Sequence, residues 1–372
     1  MLSRKVIAFY LPQFHPTDEN DQWWGVGFTE WTNVSRSRPR YRGHRQPQIP
    51  ANLGFYDLRL QETRIAQAKL AEYYGIYGFC YYHYWFNGKI ILGKPLQAII
   101  SDKTPNFPFC VCWANENWTR AWDGLDRQIL IEQNYSDEDH QNHIKYLIQI
   151  FLDDRYIKID GSPLILIYRL NKIPNYKMVL HNWRLAAMRA GFPGLYVCAA
   201  KTGFDGIDDA TILNSGVNAI VDFQPNSNDF PKPSDSRGAF QRLAKSLLPD
   251  VIYQNIKIRI SSNKIIPYGK LSKKLGSRKW PVNYKKFPCI FPSWDNSARR
   301  KSATIIQNND PKDYGAWLKS SLNAVSAYPI NEQLVFINAW NEWAEGCHLE
   351  PDLEMGLSFL EETKIQLLDQ NP

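Results

Sequence analysis

The chain has 372 residues, enough for two average domains or for one large α/β barrel with insertions. Apolar residues make up 44% of the chain and aromatic residues 14%, which excludes a disordered protein and allows a sizeable core. The formal net charge of +7 is unevenly distributed, because residues 230–286 contain 14 Lys and Arg against two acidic residues and the remainder is mildly acidic.

The apolar stretches and the cysteines indicate a compartment. No apolar run approaches the roughly 18 residues of a membrane-spanning helix, and the N-terminal sequence MLSRKVIAFYLPQF lacks the features of a signal peptide. The six cysteines lie mostly in apolar, strand-like stretches and lack the paired CxxC spacing of zinc sites. We therefore expect a cytoplasmic protein with reduced, buried cysteines and no transmembrane segment.

Eight short runs of β-branched and aromatic residues alternate with amphipathic stretches along the chain. The predicted strands are 5–12, 75–85, 107–114, 163–169, 194–200, 217–223, 287–294 and 333–340, and the clearest helices are 58–74, 138–154 and 176–191. Nearly continuous apolar strands between helices are typical of a parallel sheet that is covered on both faces. Eight such units, without a Gly-rich phosphate loop after the first strand, favour a (β/α)8 TIM barrel over an open nucleotide-binding sheet.

Two connections are longer than usual. Residues 13–57 follow the first strand as a long β1–α1 loop, and the basic residues 224–286 form an insertion between strands six and seven. Because no linker or repeat divides the chain, we predict one catalytic domain over residues 1–372. The charge of the insertion suggests an anionic partner, such as a phosphate, a membrane surface or an acidic glycan, although a solvated insertion explains it equally well.

Polar and aromatic residues collect where the predicted strands end, which is the catalytic end of a TIM barrel. We treat them as candidate substrate-binding residues: Tyr10, His15, His83, Tyr84, Trp85, Asn115, Glu116, Trp118, Tyr168, Trp294, Asp295, Asn341 and Trp343. About half of such aromatic residues would be expected in the core instead. Metal binding is not expected, because the histidines lack HxH or HxxxH spacing.

The eighth strand runs into the sequence NAWNEWAEG, which contains Glu342 and Glu345. A continuing strand would put these side chains on opposite faces, whereas a turn at residues 343–346 would make them neighbours. Adjacent carboxylates serve retaining glycosidases, in which the carboxyl with the raised pKa acts as the acid. Trp340 and Trp343 could provide the apolar surroundings that raise one pKa. Alternatively, one glutamate caps the turn or pairs with Arg169.

Four motifs resemble a known group of proteins. NEWAEGCHLEP resembles the strand-eight signature of glycoside hydrolase family 99, the endo-α-mannosidase family. AFYLPQFHPTDENDQWWGVGFTEWTNV resembles the opening of its bacterial relatives, the WbsX-type proteins of O-antigen and capsule gene clusters, which are often labelled glycosyltransferases. WANENWTRAWDG and PSWDN resemble further motifs of this group, so the resemblance extends from the first strand to residue 352.

The resemblance implies a (β/α)8 barrel and glycosidic chemistry without a metal or another cofactor. It implies that Glu342 deprotonates the sugar 2-hydroxyl, which attacks the anomeric carbon and gives an epoxide-like intermediate, and that Glu345 acts as general acid and then base. Ala344 departs from the pattern, because the hydrolases carry a histidine there.

We therefore expect an enzyme that cleaves or transfers α-linked glycosyl units of a bacterial surface polysaccharide. Its partners would be an oligosaccharide or polysaccharide, which could be lipid-linked, and peripherally an anionic membrane surface, but not nucleic acid. Two alternatives remain open: a cytoplasmic glycosyltransferase of lipopolysaccharide or capsule biosynthesis, and a non-catalytic glycan-binding protein.

Overall fold

Eight parallel strands form the centre of the protein. The computed structural model describes residues 4–120, 125–231 and 263–369. The barrel strands are β1 (Lys5–Tyr10), β2 (Gly78–Phe86), β3 (Phe109–Trp113), β4 (Ser162–Ile167), β5 (Tyr196–Ala200), β6 (Ala219–Asp222), β7 (Lys286–Ile290) and β8 (Leu334–Ile337).

The sheet closes on itself, which confirms the predicted (β/α)8 barrel. Each strand pairs in parallel with the next one along the chain, from β1 with β2 to β7 with β8. The ring is completed where Lys5 of β1 pairs with Leu334 of β8 and Ala8 pairs with Ile337. Because the strands are covered by helices outside and by side chains inside, the apolar residues of β4 and β5 are buried along almost their whole length.

Within the described residues, one helix follows each barrel strand, and two short helices precede the first of these helices in the first connection. The helices are α1 (Asp18–Trp24), α2 (Glu30–Arg36), α3 (Gln61–Tyr73), α4 (Lys94–Asp102), α5 (Asp137–Phe151), α6 (Tyr176–Arg189), α7 (Asp209–Leu213), α8 (Tyr268–Gly276), α9 (Pro311–Ala324) and α10 (Ser358–Leu368). Helix α5 shows why the sequence folds in this way: Ser136 caps its N-terminus, and Ile144, Leu147 and Phe151 recur at helical spacing on its buried face.

Two predicted strands extend beyond the barrel. β8 ends at Ile337, and the apolar Ala339 and Trp340 that follow are fully buried in a turn. β7 ends at Ile290, and Trp294–Asp295 instead pairs antiparallel with Thr304–Gln307, which also pairs with Lys264–Pro267. Apolar composition predicts burial, and here buried residues continue past the ends of the strands, where the Trp340 amide still donates to the Phe9 carbonyl at 2.7 Å.

The long first connection folds back over the carboxyl ends of the last two strands. The Arg40 guanidinium donates to the carbonyl oxygens of Ser297 (2.7 Å) and Lys301 (2.6 Å). His44 Nε2 and Gln46 Nε2 each lie 2.7 Å from Asp295 Oδ2. This connection therefore braces the segment of residues 295–301.

Part of the basic insertion lies within the described structure. Because the insertion follows strand six, the sequence predicts that it emerges on the catalytic rim of the barrel. Residues 232–262 lie outside the described residues, so this prediction is not tested there. In the described part, Arg278 forms ion pairs with Asp222 and Asp229, and Lys286 Nζ lies 3.2 Å from Asp222 Oδ1. Some of the positive charge is therefore paired with carboxylates of the barrel.

All six cysteines are buried and free of disulfides. None of the helices in the described ranges has the length and apolarity that a bilayer crossing requires.

Candidate active site

A cleft of about 260 Å³ opens at the carboxyl ends of the strands. Its wall is formed by residues from the connections that follow seven of the eight strands: Leu11, Gln13, Tyr82, Tyr84, Ala114, Glu116, Asn117, Trp118, Thr119, Tyr168, Phe223, Trp294, Arg299, Asn338, Glu342 and Glu345. The position is the one at which TIM barrels carry their catalytic residues.

The two glutamates reach this cleft because the chain turns sharply after β8. Asn341–Glu342 pairs with Cys347–His348 as a short hairpin, and Trp343–Glu345 forms one turn of 3-10 helix at its tip. Gly346 has a φ of 55°, and a Cβ atom there would lie 2.9 Å from the Asp295 Cβ atom. The turn therefore needs glycine, and it directs both carboxylates to the same side.

Arg299 links three carboxylates at the edge of the cleft. Its Nη1 atom lies 2.9 Å from Glu345 Oε1 and 3.7 Å from Glu342 Oε2, and its Nη2 atom lies 2.6 Å from Glu30 Oε1. Arg299 follows a short 3-10 turn, Asn296–Ala298, which Asp295 caps through a hydrogen bond from the Ser297 amide. The bracing of Asp295 by His44 and Gln46 thus fixes the position of the arginine.

The surroundings of the glutamates change their protonation. Burial raises the pKa of Glu342 well above its ordinary value, the charge of Glu345 raises it further, and Arg299 opposes both effects. Burial alone would lower the pKa of Arg299, but Glu30, Glu345 and Glu342 raise it instead. The site therefore combines a carboxyl whose pKa is raised with a permanent positive charge.

Aromatic rings form the opposite wall. The Trp118 ring centroid lies 5.0 Å from that of Tyr84 and 6.0 Å from that of Trp23. Glu116 forms an ion pair with Arg169 on the same side, and Arg169 also pairs with Asp205. Neither glutamate of the turn uses Arg169, so the alternative that involved this residue is wrong.

The structure brings seven of the sequence-predicted residues into the cleft and leaves eight outside its wall. Glu342, Glu345, Tyr84, Glu116, Trp118, Tyr168 and Trp294 line it. Tyr10, His15, His83, Trp85, Asn115, Asp295, Asn341 and Trp343 do not. We no longer propose these eight as substrate contacts, for the reasons that follow.

The alternation of side chains along a strand explains why His83 and Trp85 lie outside the cleft. Tyr82 and Tyr84 of β2 face the cleft, so their neighbours in sequence face the helices. His83 Nε2 lies 3.0 Å from His143 Nε2 on α5, and burial lowers the pKa of His83 to about 3. Trp85 Nε1 donates to Asp139 Oδ1 at 2.8 Å.

Tyr10 and His15 are buried on the helix side as well. The Tyr10 hydroxyl donates to Gln67 Oε1 of α3 at 2.7 Å. His15 is fully buried, and burial lowers its pKa to about 4. Both side chains therefore contribute to packing rather than to the cleft.

Asn115, Asn341 and Asp295 brace the strand ends. Asn115 Oδ1 accepts from the Arg169 amide at 2.8 Å, which joins the ends of β3 and β4. Asn341 Oδ1 accepts from the Leu11 amide at 2.7 Å, and its Nδ2 donates to the Leu11 carbonyl, which joins the ends of β8 and β1. Although burial alone would raise the pKa of Asp295, hydrogen bonds from His44 and Gln46 keep it low.

Trp340 and Trp343 surround a different carboxyl from the one expected. Trp343 Nε1 donates to Glu350 Oε2 at 2.7 Å, and the Glu350 amide donates to the Trp340 carbonyl at 3.1 Å. Burial raises the pKa of Glu350 to about 7. Glu342 is instead buried beside Tyr82 and Tyr84 and near the charges of Arg299, Glu345 and Glu30. The two indoles therefore do not provide its apolar surroundings.

Ten residues on or behind the cleft were not predicted: Leu11, Gln13, Glu30, Tyr82, Ala114, Asn117, Thr119, Phe223, Arg299 and Asn338. Two of them had a sequence signal, since Glu30 lies within GFTEWTNV and Arg299 ends PSWDNSAR, directly after the PSWDN motif. Their pairing joins residues 269 positions apart, and no local pattern indicates such a contact. Within residues 4–120, 125–231 and 263–369, no three His, Cys, Asp or Glu side chains are grouped as metal ligands.

Comparison with known proteins identifies the family. The family model described as glycosyltransferase WbsX matches residues 6–363. The chain belongs to the WbsX glycosyltransferase family. Two relatives of this WbsX-family chain, both described as uncharacterized protein WxcX and from two strains of Xanthomonas campestris pv. campestris, are each 38% identical over 369 residues. The matches cover 98% of this chain and 50% of each relative, so the chain spans about half the length of the curated relatives it matches.

Solved structures resemble the WbsX-family barrel along almost its whole length. The endo-α-mannosidase of glycoside hydrolase family 99 from Bacteroides thetaiotaomicron superposes with a TM-score of 0.58 at 12% identity, covering 98% of this chain and 96% of that one. A glycoside hydrolase-like protein superposes with a TM-score of 0.57 at 14% identity, covering 98% and 94%. At these identities the likeness shows the fold, and both expected resemblances are confirmed. Together with the family, the fold supports a carbohydrate-active enzyme.

Proposed function

We propose that the chain is an enzyme that cleaves or transfers α-linked glycosyl units of a bacterial surface polysaccharide. The observation that carries the proposal is the placement of Glu342 and Glu345 on one turn, in one cleft, beside one guanidinium nitrogen of Arg299. Pairs of carboxyl groups with different surroundings are the usual means by which enzymes obtain an acid and a base at neutral pH.

The choice of an α-linked glycan rests on two supports. The WbsX family is described as glycosyltransferases, and the barrel superposes on an endo-α-mannosidase. The aromatic wall of Tyr84 and Trp118 supplies the flat apolar surface expected in a ligand cleft, while Glu116 and the glutamate pair supply polar contacts.

The proposed reaction retains the configuration at the anomeric carbon. One glutamate takes the proton of the 2-hydroxyl, whose oxygen attacks the anomeric carbon and forms a 1,2-anhydro sugar. The bond to the leaving oxygen breaks, and that oxygen takes a proton from the second glutamate. Water or a sugar hydroxyl then attacks the anomeric carbon, and the bond between that carbon and the 2-oxygen breaks. The attacking group gives a proton to the second glutamate, and the 2-oxygen takes its proton back from the first.

The resemblance assigns the first role to Glu342 and the second to Glu345. Hydrolysis and transfer share every step except the identity of the acceptor, so one site can serve both. The family description favours transfer as the second candidate.

The test is a product analysis with purified protein. We would incubate the chain with α-linked oligosaccharides prepared from bacterial surface polysaccharides, with and without sugar nucleotides, and measure products by mass spectrometry. Shortened chains support hydrolysis, and lengthened chains without sugar nucleotides support transfer from a glycan donor. Products that require a sugar nucleotide, or that persist when both glutamates are replaced by glutamine, would overturn the proposal.

A further inference from the structure

Glu30 connects the turn of Trp343–Glu345 to Arg299. This residue is on α2, in the long first connection, and its side chain is fully buried. Its Oε1 atom accepts a hydrogen bond from the backbone amide of Ala344 at 2.9 Å and another from Arg299 Nη2 at 2.6 Å. Ala344 lies between Glu342 and Glu345, so one carboxylate fixes both the turn and the cation that faces it.

Arg299 lies closer to Glu345 than to Glu342. The 2.9 Å contact to Glu345 Oε1 is a charge-assisted hydrogen bond, whereas the 3.7 Å separation from Glu342 Oε2 is beyond hydrogen-bond distance. The Arg299 side chain is 8% exposed, which weakens the screening of these charges by water.

Among the residues that the structure describes, the other groups that face Glu342 do not carry a positive charge. They are Tyr82 and Tyr84 of β2, Cys347 of the hairpin, and the carboxyls of Glu345 and Glu30. Three ionised carboxylates around one guanidinium would leave excess negative charge in a buried site, which is costly. One proton reduces that cost, and it does so best on the carboxyl that lacks a direct contact with the arginine.

We propose that Glu30 and Arg299 are positioning residues that hold Glu345 as a carboxylate and leave the proton of the glutamate pair on Glu342 in the resting enzyme. The catalytic meaning of this inference rests on the proposed function. The roles that the resemblance implies start from the opposite arrangement. A proton must therefore pass from Glu342 to Glu345, and Arg299 must release Glu345, when substrate enters.

The test is infrared spectroscopy of the whole chain in deuterated buffer at neutral pH, in the region of the carboxylic-acid C=O stretch. We expect E342Q to lose a band that E345Q keeps. R299M should gain a second acid band, because the carboxylates lose their counter-charge, and R299K should not. E116Q is the matched control, since Glu116 also pairs with an arginine on the cleft but is half-exposed, and its spectrum should equal that of the wild type.

Glu350 contributes a separate acid band, because burial raises its pKa to about 7, and E350Q identifies that band. Loss of the remaining band in E345Q instead of E342Q would overturn the inference, and so would the absence of any acid band other than that of Glu350. If R299M does not fold by circular dichroism, E30Q supplies an independent comparison, because removing one carboxylate reduces the excess negative charge and should weaken the band that E342Q loses. The measurement requires no substrate, so a chain without turnover on any glycan still gives a readable result. If the enzyme turns over a glycan and the acid band belongs to Glu345, this inference is wrong while the proposed function stands.

Discussion

Glu342 and Glu350 come from the same stretch of eleven residues, yet they lie in opposite surroundings. Glu342 faces the open cleft beside Arg299. Glu350 is sealed behind it, where Gln67 Nε2 donates at 2.6 Å, Tyr56 at 2.8 Å and Trp343 at 2.7 Å. One carboxyl is balanced by a cation and reachable by substrate, and the other is held by neutral donors alone.

The comparison shows that a raised pKa does not by itself identify a catalytic carboxyl. Burial raises the pKa of both glutamates. Only Glu342 opens into a space that a sugar ring can enter, and only Glu342 has a second carboxyl and an arginine next to it. Glu350 instead connects the turn to α3 and to the first connection, through Gln67 and Tyr56.

The largest effect is expected for E342Q and E345Q, each of which should lower turnover by about 10²- to 10⁴-fold while the fold is kept. Glutamine has the same shape but can neither donate nor accept the required proton. The measurement is the rate of product formation on the oligosaccharide that proves to be a substrate. E72Q is the matched control, because Glu72 is an exposed residue on α3 outside the cleft. Wild-type rates in both cleft variants would show that other residues carry the chemistry.

The next largest effect is on stability and concerns Arg299, the cation that lies beside Glu342 and has no counterpart beside Glu350 within the described residues. R299M leaves the fully buried Glu30 carboxylate without its partner, which should lower the free energy of unfolding by about 3–5 kcal/mol. Adding E30Q should restore much of the loss, because the glutamine oxygen can still accept from the Ala344 amide. Urea unfolding of the two single variants and the double variant measures the coupling. Purely additive losses would show that the ion pair has little weight.

The third prediction concerns pH and Glu350. Burial raises its pKa from 4.5 to about 7, so in this range the folded state holds a proton that the unfolded chain has released. Wild-type stability should therefore fall relative to E350Q as the pH rises from about 4.5, and it should level off above about 7, with a total change of about 3 kcal/mol. Urea unfolding of both proteins across this range measures the difference. A pH-independent difference would mean that Glu350 is already ionised in the folded protein.

The fourth prediction concerns Gly346, which lies between Glu342 and Glu350 in the sequence. G346A forces a side chain into a left-handed conformation and against Asp295, which should lower the free energy of unfolding by about 2 kcal/mol. Because Asp295 caps the turn before Arg299, turnover should fall as well. G206A is a control for conformation alone, since Gly206 also has a positive φ but an added Cβ would meet no atom there. Equal losses in both variants would remove the contact with Asp295 from the explanation.

The sequence predicted the barrel because burial and periodicity are local properties, but it left open whether the chain turns after β8 or continues as a strand. It did not predict which face of β2 lines the cleft, since Tyr82, His83, Tyr84 and Trp85 are all compatible with either side. It also missed Arg299 and Glu30. Their roles depend on a contact between distant parts of the chain, which forms only when the first connection folds back over the barrel.

The smallest effect is expected on the surface, where charges face water instead of a buried partner. Lys270, Lys273 and Lys274 are exposed on α8, at spacings that place them on neighbouring turns. We propose that they help the basic insertion to bind an anionic membrane or a lipid-linked substrate, at about 1 kcal/mol for each lysine near an anionic surface. Replacing all three by glutamine should therefore weaken sedimentation with anionic vesicles. Replacing the exposed Lys69, Lys145 and Lys312 on other helices removes the same charge and should weaken it less.

Salt provides the decisive condition for this prediction, because the screening length falls from about 10 Å at 0.1 M to about 3 Å at 1 M. Binding to anionic vesicles should decrease over this range, and neutral vesicles should bind little at any salt concentration. Salt-independent binding to both kinds of vesicle would leave the lysines as solvated side chains. The buried charges around Glu342 provide the contrast, because salt in the solvent screens buried charges far less than exposed lysines.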